Sequence, residues 1–403
     1  MSGLGRRFLD VFDDVPTHFV RAPGRVNLIG DHIDYNGLPV FPMALQREVR
    51  VALRPRDDGW VHLRNVDQEF EPVDFEVHPA LERESGGHWA NYCMAPAKEL
   101  ARRFAIWRGF DAVVESTVPV AAGLSSSSAL VNAIGLALAE VNELELNILT
   151  LADLMAEAER FTGTRGGGMD QAISLGARAG HASRISFDPL RLRHVAVPED
   201  WRFVVADTGV RAEKSGPAQL AYNHRRSECE EALALVSATA EGRGMVMEAP
   251  GSYRELMDKL GLDSIWVAAD AALKGKLLRR FRHVISEARR VEEASDHILG
   301  GDLHGFGSLM DASHGSLHTD YNVSCPELDA LVALAREGGA EGARLTGAGF
   351  GGCVVALTDM ERVDSVLELM SREYFEPRGM ADQLDRHLFV ARASRGASVT
   401  PLG

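Results

Sequence analysis

The sequence PVAAGLSSSSAL, Pro119 to Leu130, is the most informative part of the chain, because four consecutive serines lead there into the apolar run from Ala129 to Leu138. Small residues let a backbone approach a ligand closely, and a helix start offers unpaired N–H groups and the positive end of a dipole. This combination predicts a cradle for a phosphate chain, with serine hydroxyls as ligands for the cation that accompanies a triphosphate. The alternative is a serine-rich loop that merely caps an ordinary helix.

The composition indicates a folded, acidic protein with more than one domain. The 403 residues exceed what one core normally holds, and 45% of them are hydrophobic. The formal net charge of -15 argues against nucleic acid as a main partner. Four dispersed cysteines without a CxxC pair favour a reducing cytoplasm. We expect no signal peptide, no membrane span and no protein partner.

Hydrophobic patterning predicts strands in the first third of the chain and mainly helices in the second half, with a domain change around Pro189 to Pro198. Thr150 and Asp153 resemble a capping pair for one of the helices. Residues 342–357, GARLTGAGFGGCVVAL, predict a strand, a tight turn and a second strand. The predicted helices are Ser127 to about Val141, Leu151–Phe161, Ala218–Val236, Leu277–Leu299 and Pro326–Arg336.

A second polar loop, RAPGRVNLIGDHIDYNG, runs from Arg21 to Gly37 and follows a predicted strand. Carboxylates and a histidine at this density suit a polyhydroxylated ligand, whose hydroxyls need both donors and acceptors, and such side chains are often held on loops. Two alternatives stay open. One is a solvated turn with a DYNG hairpin signal, and the other is a metal site formed by Asp31, His32 and Asp34.

Glycine-rich segments mark two further places. In GTRGGGMDQ, Gly163 to Gln171, three consecutive glycines precede Asp170 and indicate space that no side chain can fill. Asp170 would then accept a proton or orient a nucleophilic hydroxyl, the alternative being a flexible loop with Asp170 as a helix N-cap. GAGFGG, Gly347 to Gly352, spells G-x-G-x-x-G, but a strand signal follows it, which argues against a dinucleotide site.

These parts combine into a hypothesis of phosphoryl transfer. The serine-rich loop would hold Mg-ATP, the Arg21 to Gly37 loop would hold a sugar, and Asp170 would face the hydroxyl that is phosphorylated. Positioning and charge neutralisation are what this reaction mainly needs.

Taken in this order, the motifs resemble those of the GHMP small-molecule kinases and, within them, the galactokinases. APGRVNLIGDHIDYNG is similar to the galactokinase signature, PVAAGLSSSSAL to the phosphate loop, and LTGAGFGGC to the third motif of the family. The resemblance covers nearly the whole chain and implies an α+β fold of two domains with the active site between them. Residues 1–194 would form a domain like ribosomal protein S5 domain 2, and residues 195–403 the C-terminal GHMP kinase domain.

The resemblance also implies an activity and its residues. The enzyme would use ATP and Mg²⁺ to phosphorylate the anomeric hydroxyl of a galactose-type sugar. Asp170 would be the catalytic base, Arg25 its charged neighbour, and Ser127 the magnesium ligand. The sugar-contacting positions would be Asp31, His32, Asp34, Gly167 and Tyr222. The ATP-contacting positions would be Trp89, Gly123, Leu124, Ser125, Ser126, Ser127 and Ser128.

Two departures from the galactokinase pattern leave the sugar open. Asp31 stands where galactokinases usually have Glu, which addresses the sugar's 6-hydroxyl, so this contact would lengthen, use a water or admit a different C6 group. Gly168 replaces a bulkier residue, as in the N-acetylgalactosamine kinase branch, and would enlarge the pocket or simply mark lineage. A non-catalytic galactose and ATP sensor is a third alternative, disfavoured by the intact Ser125–Ala129 segment and by Asp170.

Overall fold

The computed structural model describes residues 3–85, 87–211 and 217–402. The strands are β1 (His18–Ile29), β2 (Phe41–Pro55), β3 (Trp60–Asn65), β4 (Val73–Glu76), β5 (Phe110–Ser116), β6 (His181–Ser186), β7 (Arg191–Ala196), β8 (Trp201–Asp207), β9 (Gly342–Thr346), β10 (Cys353–Asp359), β11 (Leu388–Ala391) and β12 (Ser398–Pro401).

The helices are α1 (Gly3–Phe12), α2 (Ala90–Phe104), α3 (Ser126–Val141), α4 (Ile148–Glu159), α5 (Met169–Gly176), α6 (Pro217–Gly242), α7 (Tyr253–Lys259), α8 (Leu262–Ala272), α9 (Gly275–Gly300), α10 (Leu303–Ser316), α11 (Pro326–Glu337), α12 (Val363–Met370) and α13 (Leu384–His387). Short 3-10 or π turns lie at Asp34–Asn36, Arg160–Thr162, Leu317–Tyr321, Ser371–Phe375, Glu376–Arg378 and Ala381–Gln383. None of the described helices combines the length and apolar character that a bilayer crossing requires.

The chain forms two compact units that interleave along the sequence. The first contains residues up to 26, residues 43–182 and residues from 392 onward, and the second contains residues 27–42 and 183–391. The chain therefore changes unit within β1, β2 and β6. The predicted domains, residues 1–194 and 195–403, divide the chain at one point only, and this division stays a prediction.

In the first unit, the main sheet has the strand order β12-β1-β2-β5-β3-β4. β5 pairs antiparallel with β2 and parallel with β3. The apolar side of α1 covers part of this sheet, where Leu4 and Phe8 pack with Ala52 and Val113. Helices α3 and α4 pack closely because Gly135 has no side chain, since a Cβ there would lie 2.1 Å from the sulfur of Met155.

The helix predictions in this unit were correct in position and wrong in one cap. Helix α3 begins one residue before the predicted start, and α4 begins three residues before it. The N-cap of α4 is Asn147, whose side chain accepts hydrogen bonds from the N–H groups of Leu149 and Thr150. The Thr150–Asp153 capping prediction was wrong because Asn147, which is a better N-cap residue than threonine, stands three positions before Thr150.

In the second unit, the main sheet has the order β11-β8-β10-β9, and its pairs are antiparallel. The predicted strand, tight turn and strand over residues 342–357 are confirmed as β9, a glycine turn and β10. The turn needs its glycines, because Gly347, Gly349, Gly351 and Gly352 all have positive φ.

Candidate active site

The backbone of the serine-rich loop has the pattern of an anion-binding nest. Ala121, Gly123 and Ser125 have φ values of 57°, 74° and 61°, so left-handed residues alternate with ordinary ones up to the first residue of α3. Such alternation turns successive N–H groups towards one concave side. The start of α3, a 16-residue helix, follows immediately. Both features favour negative charge here, and the binding of a phosphate chain by this loop stays a prediction.

Arg25 and Asp170 form a two-point ion pair beside this loop. Arg25 Nε donates to Asp170 Oδ1 at 2.7 Å, and Arg25 Nη2 donates to Oδ2 at 3.1 Å. The third nitrogen, Nη1, donates to the carbonyl oxygen of Gly123 at 2.5 Å. Strand β1 comes close enough for this because Gly24 has no side chain, since a Cβ there would lie 2.7 Å from the Leu124 carbonyl oxygen. The guanidinium therefore links the carboxylate to the serine-rich loop, in a strong charge-assisted geometry.

Asp170 lies in the first turn of α5, where the helix dipole favours its negative charge. The N-cap of α5 is Gly168, with φ +100°, so the alternative that Asp170 caps this helix is wrong. Ser125 Oγ donates to Asp170 Oδ2 at 2.5 Å, and Ser128 Oγ lies 3.5 Å from the same oxygen. The carboxylate is thus held by groups from three segments of the first unit.

Glu159 is a functional candidate that the sequence analysis missed. This buried carboxylate accepts hydrogen bonds from Ser127 Oγ at 3.2 Å, from Ser128 Oγ at 2.7 Å, and from the side-chain amide of Gln171. The sequence carried a signal for it, because Glu159 follows Met155 by four residues and so continues the buried face of α4. Burial of a carboxylate on an apolar helix face is costly unless polar groups or a bound ion compensate its charge.

Trp89 directly precedes α2 and is largely buried. Its indole N–H donates to the Glu71 carbonyl oxygen at 2.9 Å, and its ring meets Phe70 edge to face at 5.8 Å. The polar end of this side chain is therefore engaged within the first unit. A contact with adenine stays a prediction and would use the ring itself.

The predicted loop from Arg21 to Gly37 was wrong in its first part, because residues 21–29 continue β1, and the polar loop begins only at Gly30. In the second unit, this loop after β1 is held by buried charges. The N–H group of Gly30 donates to Glu287 at 2.8 Å, and Glu287 also accepts from Ser313 and pairs with Arg290, each at 2.7 Å. Burial by itself would raise the pKa of Glu287, but the neighbouring charge of Arg290, with that of Arg344, lowers it to about 2. The start of the loop is thus fixed by a permanent anion.

Asp31 is buried and pairs through its carboxylate with the fully buried Arg344 of β9. Arg344 Nη1 also donates to the Asn27 carbonyl oxygen at 3.1 Å. His283 Nε2 lies 3.0 Å from the backbone oxygen of Asp31. Because a buried carboxylate needs a partner, Arg344 explains how Asp31 is tolerated at this position. A contact between Asp31 and a sugar stays a prediction.

His32 uses both ring nitrogens inside the protein. Nε2 lies 3.2 Å from the Ala348 carbonyl oxygen, which can only accept, so Nε2 carries the hydrogen. Nδ1 therefore accepts from the hydroxyl of Tyr35 at 2.8 Å, and that hydroxyl lies 2.7 Å from the hydroxyl of Tyr321. Burial, with a smaller effect of His283, lowers the pKa of His32 to about 3. His32 is thus a neutral imidazole that ties the loop to the glycine turn.

The predicted sugar-contacting residues divide between the two units. Tyr222 packs against the rings of His32 and Tyr35 in the second unit, at 5.6 and 5.5 Å between centroids. Asp34 begins a 3-10 turn in the same loop and is partly exposed. Gly167 belongs to the first unit, three residues before Asp170. Over residues 3–85, 87–211 and 217–402, no three His, Cys, Asp or Glu side chains form a group that could hold a metal, so the metal alternative for this loop gains no support.

Three family models match the chain. The galactokinase galactose-binding signature matches residues 6–55, the GHMP kinase N-terminal domain matches residues 91–177, and the GHMP kinase C-terminal domain matches residues 287–376. The first match contains the polar loop that follows β1, and the second contains the serine-rich loop and Asp170.

Curated relatives are similar over nearly their whole length. The galactokinase of Chloroflexus aggregans is 40% identical over 376 residues, covering 93% of this chain and 92% of the relative. The galactokinase of Roseiflexus sp. is 38% identical over 395 residues, covering 98% and 95%.

Solved structures share the fold. The crystal structure of Lactococcus lactis galactokinase complexed with galactose matches with a TM-score of 0.82 and 29% identity, covering 98% of each chain. The mevalonate kinase of Methanococcus jannaschii matches with a TM-score of 0.60 and 18% identity, covering 94% of this chain and 98% of that one, which shows the fold alone.

Proposed function

The chain belongs to the galactokinase family of the GHMP kinases, and we propose that it transfers the γ-phosphoryl group of ATP to the anomeric hydroxyl of galactose. The observation that carries this proposal is the ion pair of Asp170 and Arg25 next to an anion-binding loop. In that arrangement, a carboxylate that can orient a hydroxyl group lies next to a guanidinium whose positive charge can stabilise a phosphoryl group. The relative that was crystallised with galactose supports the choice of sugar.

In this proposal Asp170 orients the sugar hydroxyl and receives its proton. A bond forms between the anomeric oxygen and the γ-phosphorus, the bond to the β-phosphate oxygen breaks, and ADP leaves. A carboxylate is a weak base at neutral pH, so the proton moves late, after most of the phosphoryl transfer has occurred. Arg25 pairs with the carboxylate and stabilises the charge on the transferred group.

The serine-rich loop and the start of α3 would hold the phosphates of ATP. Ser127 Oγ and Glu159 Oε1 lie 3.2 Å apart and are both oxygen donors of the kind that Mg²⁺ prefers. These two residues would hold the ion, with phosphate oxygens and water completing its shell. Once bound, the ion would neutralise phosphate charge. Trp89 would stack on the adenine.

Sugar recognition is assigned mainly to groups of the second unit. Asp34 and Tyr222 are partly exposed and offer an acceptor and a hydroxyl. Asp31 and His32 already have partners inside the protein, so contacts of theirs with the sugar would come in addition. From the first unit, Gly167 would leave space next to the reacting carbon.

Gly168 gives no reason to prefer N-acetylgalactosamine over galactose. Its φ of +100° is one that side chains rarely adopt, so the backbone alone accounts for glycine at this position. An enlarged pocket for an acetamido group is not needed to explain it.

A substrate panel tests this proposal. ADP release from ATP would be measured with galactose, N-acetylgalactosamine, arabinose and galacturonate, and ³¹P NMR would locate the phosphate on the product. We expect the highest kcat/KM with galactose and a phosphate on C1. Preference for N-acetylgalactosamine would move the enzyme to that branch. Sugar binding without any ADP release would indicate a sensor, and phosphate on another carbon would overturn the mechanism. The cytoplasmic location and the lack of a protein partner stay predictions.

A further inference from the structure

We propose that Ser125 is a positioning residue for Asp170 and that its hydroxyl serves this carboxylate and not the nucleotide. The inference rests on the proposed function, because it concerns the group that meets the sugar hydroxyl. Under this inference, serines of the four-serine run serve different groups, which the sequence alone does not reveal.

The backbone of Ser125 is the first observation. With φ 61° and ψ 41°, it is left-handed, a conformation that disfavours every residue with a Cβ except for short polar ones. Glycine would adopt it without strain, and the chain uses glycine for positive φ nearby, at Gly123 and Gly168. The conformation alone does not require a hydroxyl, since Ala121 in the same loop is also left-handed with φ 57°, so the role of Ser125 depends on the contact that its hydroxyl makes.

The contact of Ser125 is the second observation. The residue is 5% exposed, and its Oγ lies 2.5 Å from Asp170 Oδ2. An ionised carboxylate can only accept, so the serine hydroxyl donates. A short O–H···O⁻ bond of this kind belongs to the stronger class of hydrogen bonds.

Two of the other serines in the run have a different partner. Ser127 and Ser128 donate to Glu159, at 3.2 and 2.7 Å. Ser128 is also 3.5 Å from Asp170 Oδ2, at the limit of a hydrogen bond. The serine run is therefore divided between two carboxylates, with Ser125 on Asp170 and the later pair on Glu159.

This division couples the carboxylate to the phosphate loop. Arg25 fixes Asp170 from β1, and Ser125 fixes it from the residue immediately before α3. The distance between the sugar hydroxyl and the γ-phosphate therefore depends on both contacts of Asp170, the one with Arg25 and the one with Ser125. Reacting groups that are displaced by about 1 Å lose up to ~10²-fold in rate, so the hydroxyl of Ser125 should affect turnover more than nucleotide binding.

Two substitutions separate the hydroxyl from the backbone. Ser125→Ala removes the hydroxyl and keeps the strained conformation, whereas Ser125→Gly removes the hydroxyl and relieves the strain. We expect kcat to fall about 10- to 100-fold in both, the loss for a hydrogen bond to a charged group, with the KM for ATP changed less than about threefold. Urea unfolding should show Ser125→Gly to be at least as stable as Ser125→Ala.

Ser174→Ala is the matched control. Ser174 lies on α5, four residues after Asp170, and its buried hydroxyl has no hydrogen-bond partner among the residues that the structure describes. Its kcat should equal that of the unmodified protein. If Ser125→Gly keeps the full kcat, or if either Ser125 variant raises the KM for ATP without lowering kcat, the positioning role is refuted.

The Asp170→Asn variant distinguishes failure of this inference from failure of the proposed function. Adding Ser125→Ala to Asp170→Asn should cause almost no further loss of kcat, because the hydroxyl acts through the carboxylate. Full additivity of the two losses refutes the inference. A galactose-active parent with an impaired Asp170→Asn and a fully active Ser125→Gly refutes the inference alone. A parent that phosphorylates no sugar refutes the proposed function.

Discussion

Arg25 and Asp170 are 145 residues apart in the chain, yet two nitrogens of the arginine contact both oxygens of the aspartate, at 2.7 and 3.1 Å. The same arginine donates to the Gly123 carbonyl oxygen. A fork of this shape fixes both the charge and the plane of the carboxylate, which a lysine could not do.

Replacing Arg25 with Ala should therefore lower turnover more than it weakens ATP binding. We expect kcat to fall by ~10²–10³, the range for loss of one preorganised charge-stabilising donor, with a smaller change in the KM for ATP. Steady-state kinetics with galactose measures both. The control is Arg21→Ala, on the same strand, whose partner Glu48 keeps its contact with Arg50. A variant with normal kcat and only a raised KM for ATP would contradict the role.

Glu159 should determine how much magnesium strengthens ATP binding. Calorimetry would give the Kd of ATP with and without Mg²⁺, independently of turnover. In Glu159→Gln we expect Mg²⁺ to strengthen ATP binding about tenfold less than in the unmodified protein, a typical loss at a metal site. Glu157→Gln, an exposed carboxylate on the same helix that pairs with Arg160, is the control. An unchanged magnesium effect in Glu159→Gln would remove this residue from the site.

Arg344 should be needed for stability because it pairs with a buried carboxylate. Arg344→Met leaves Asp31 without its guanidinium partner and should reduce the free energy of unfolding by about 3–5 kcal/mol. Arg362→Met removes a 43% exposed arginine that pairs with Asp359 and Glu341, and it should cost at most about 1 kcal/mol. Urea unfolding compares the two. If the two variants lose the same free energy of unfolding, the buried Asp31–Arg344 pair matters no more for stability than an exposed one.

Stability should fall as the pH drops below about 6.5, because buried histidines are neutral in the folded protein. Burial lowers the pKa of His32 to about 3 and those of His283 and His314 to about 4. Since an unfolded histidine takes up its proton near pH 6.5, the unfolded state binds more protons below that pH and is favoured. Each histidine adds a slope of up to about 1.4 kcal/mol per pH unit, down to its folded pKa.

Glu287 extends this loss to lower pH. Its pKa is about 2 in the folded protein against an ordinary value of 4.5, so its stabilisation is complete above pH 4.5 and is lost as the pH falls towards 2.

The histidine prediction is tested by urea unfolding between pH 4.5 and 8. The free energy of unfolding should decrease with falling pH, and His32→Gln should make this slope shallower. A stability that is independent of pH between 4.5 and 6.5 would contradict the neutral assignment.

Local patterns predicted those parts of the molecule that depend on near neighbours. The start of α3 and the β9–turn–β10 unit follow from small residues, apolar runs and glycines that lie together in the sequence. The motifs also identified the family, which the comparisons confirm.

The sequence could not reveal contacts between distant segments. Asp31 and His32 look like members of a solvated loop, but Asp31 is held by Arg344 from 313 residues away, and His32 reaches Ala348 from 316 residues away. Glu159 was missed because a glutamate at a helix end is usually exposed, and only its position on the buried face of α4 pointed to a role. The interleaving of the two units depends on which strands pair, which periodicity does not specify.

The proposed role of Asp170 is to act on the hydroxyl that is phosphorylated, and the decisive measurement is the steady-state turnover of Asp170→Asn with saturating galactose and Mg-ATP. Asparagine keeps the size of the side chain and removes the charge. We expect kcat to fall by ~10²–10⁴, while circular dichroism and the KM for ATP stay close to those of the unmodified protein. A variant that forms galactose 1-phosphate at the unmodified rate would contradict it.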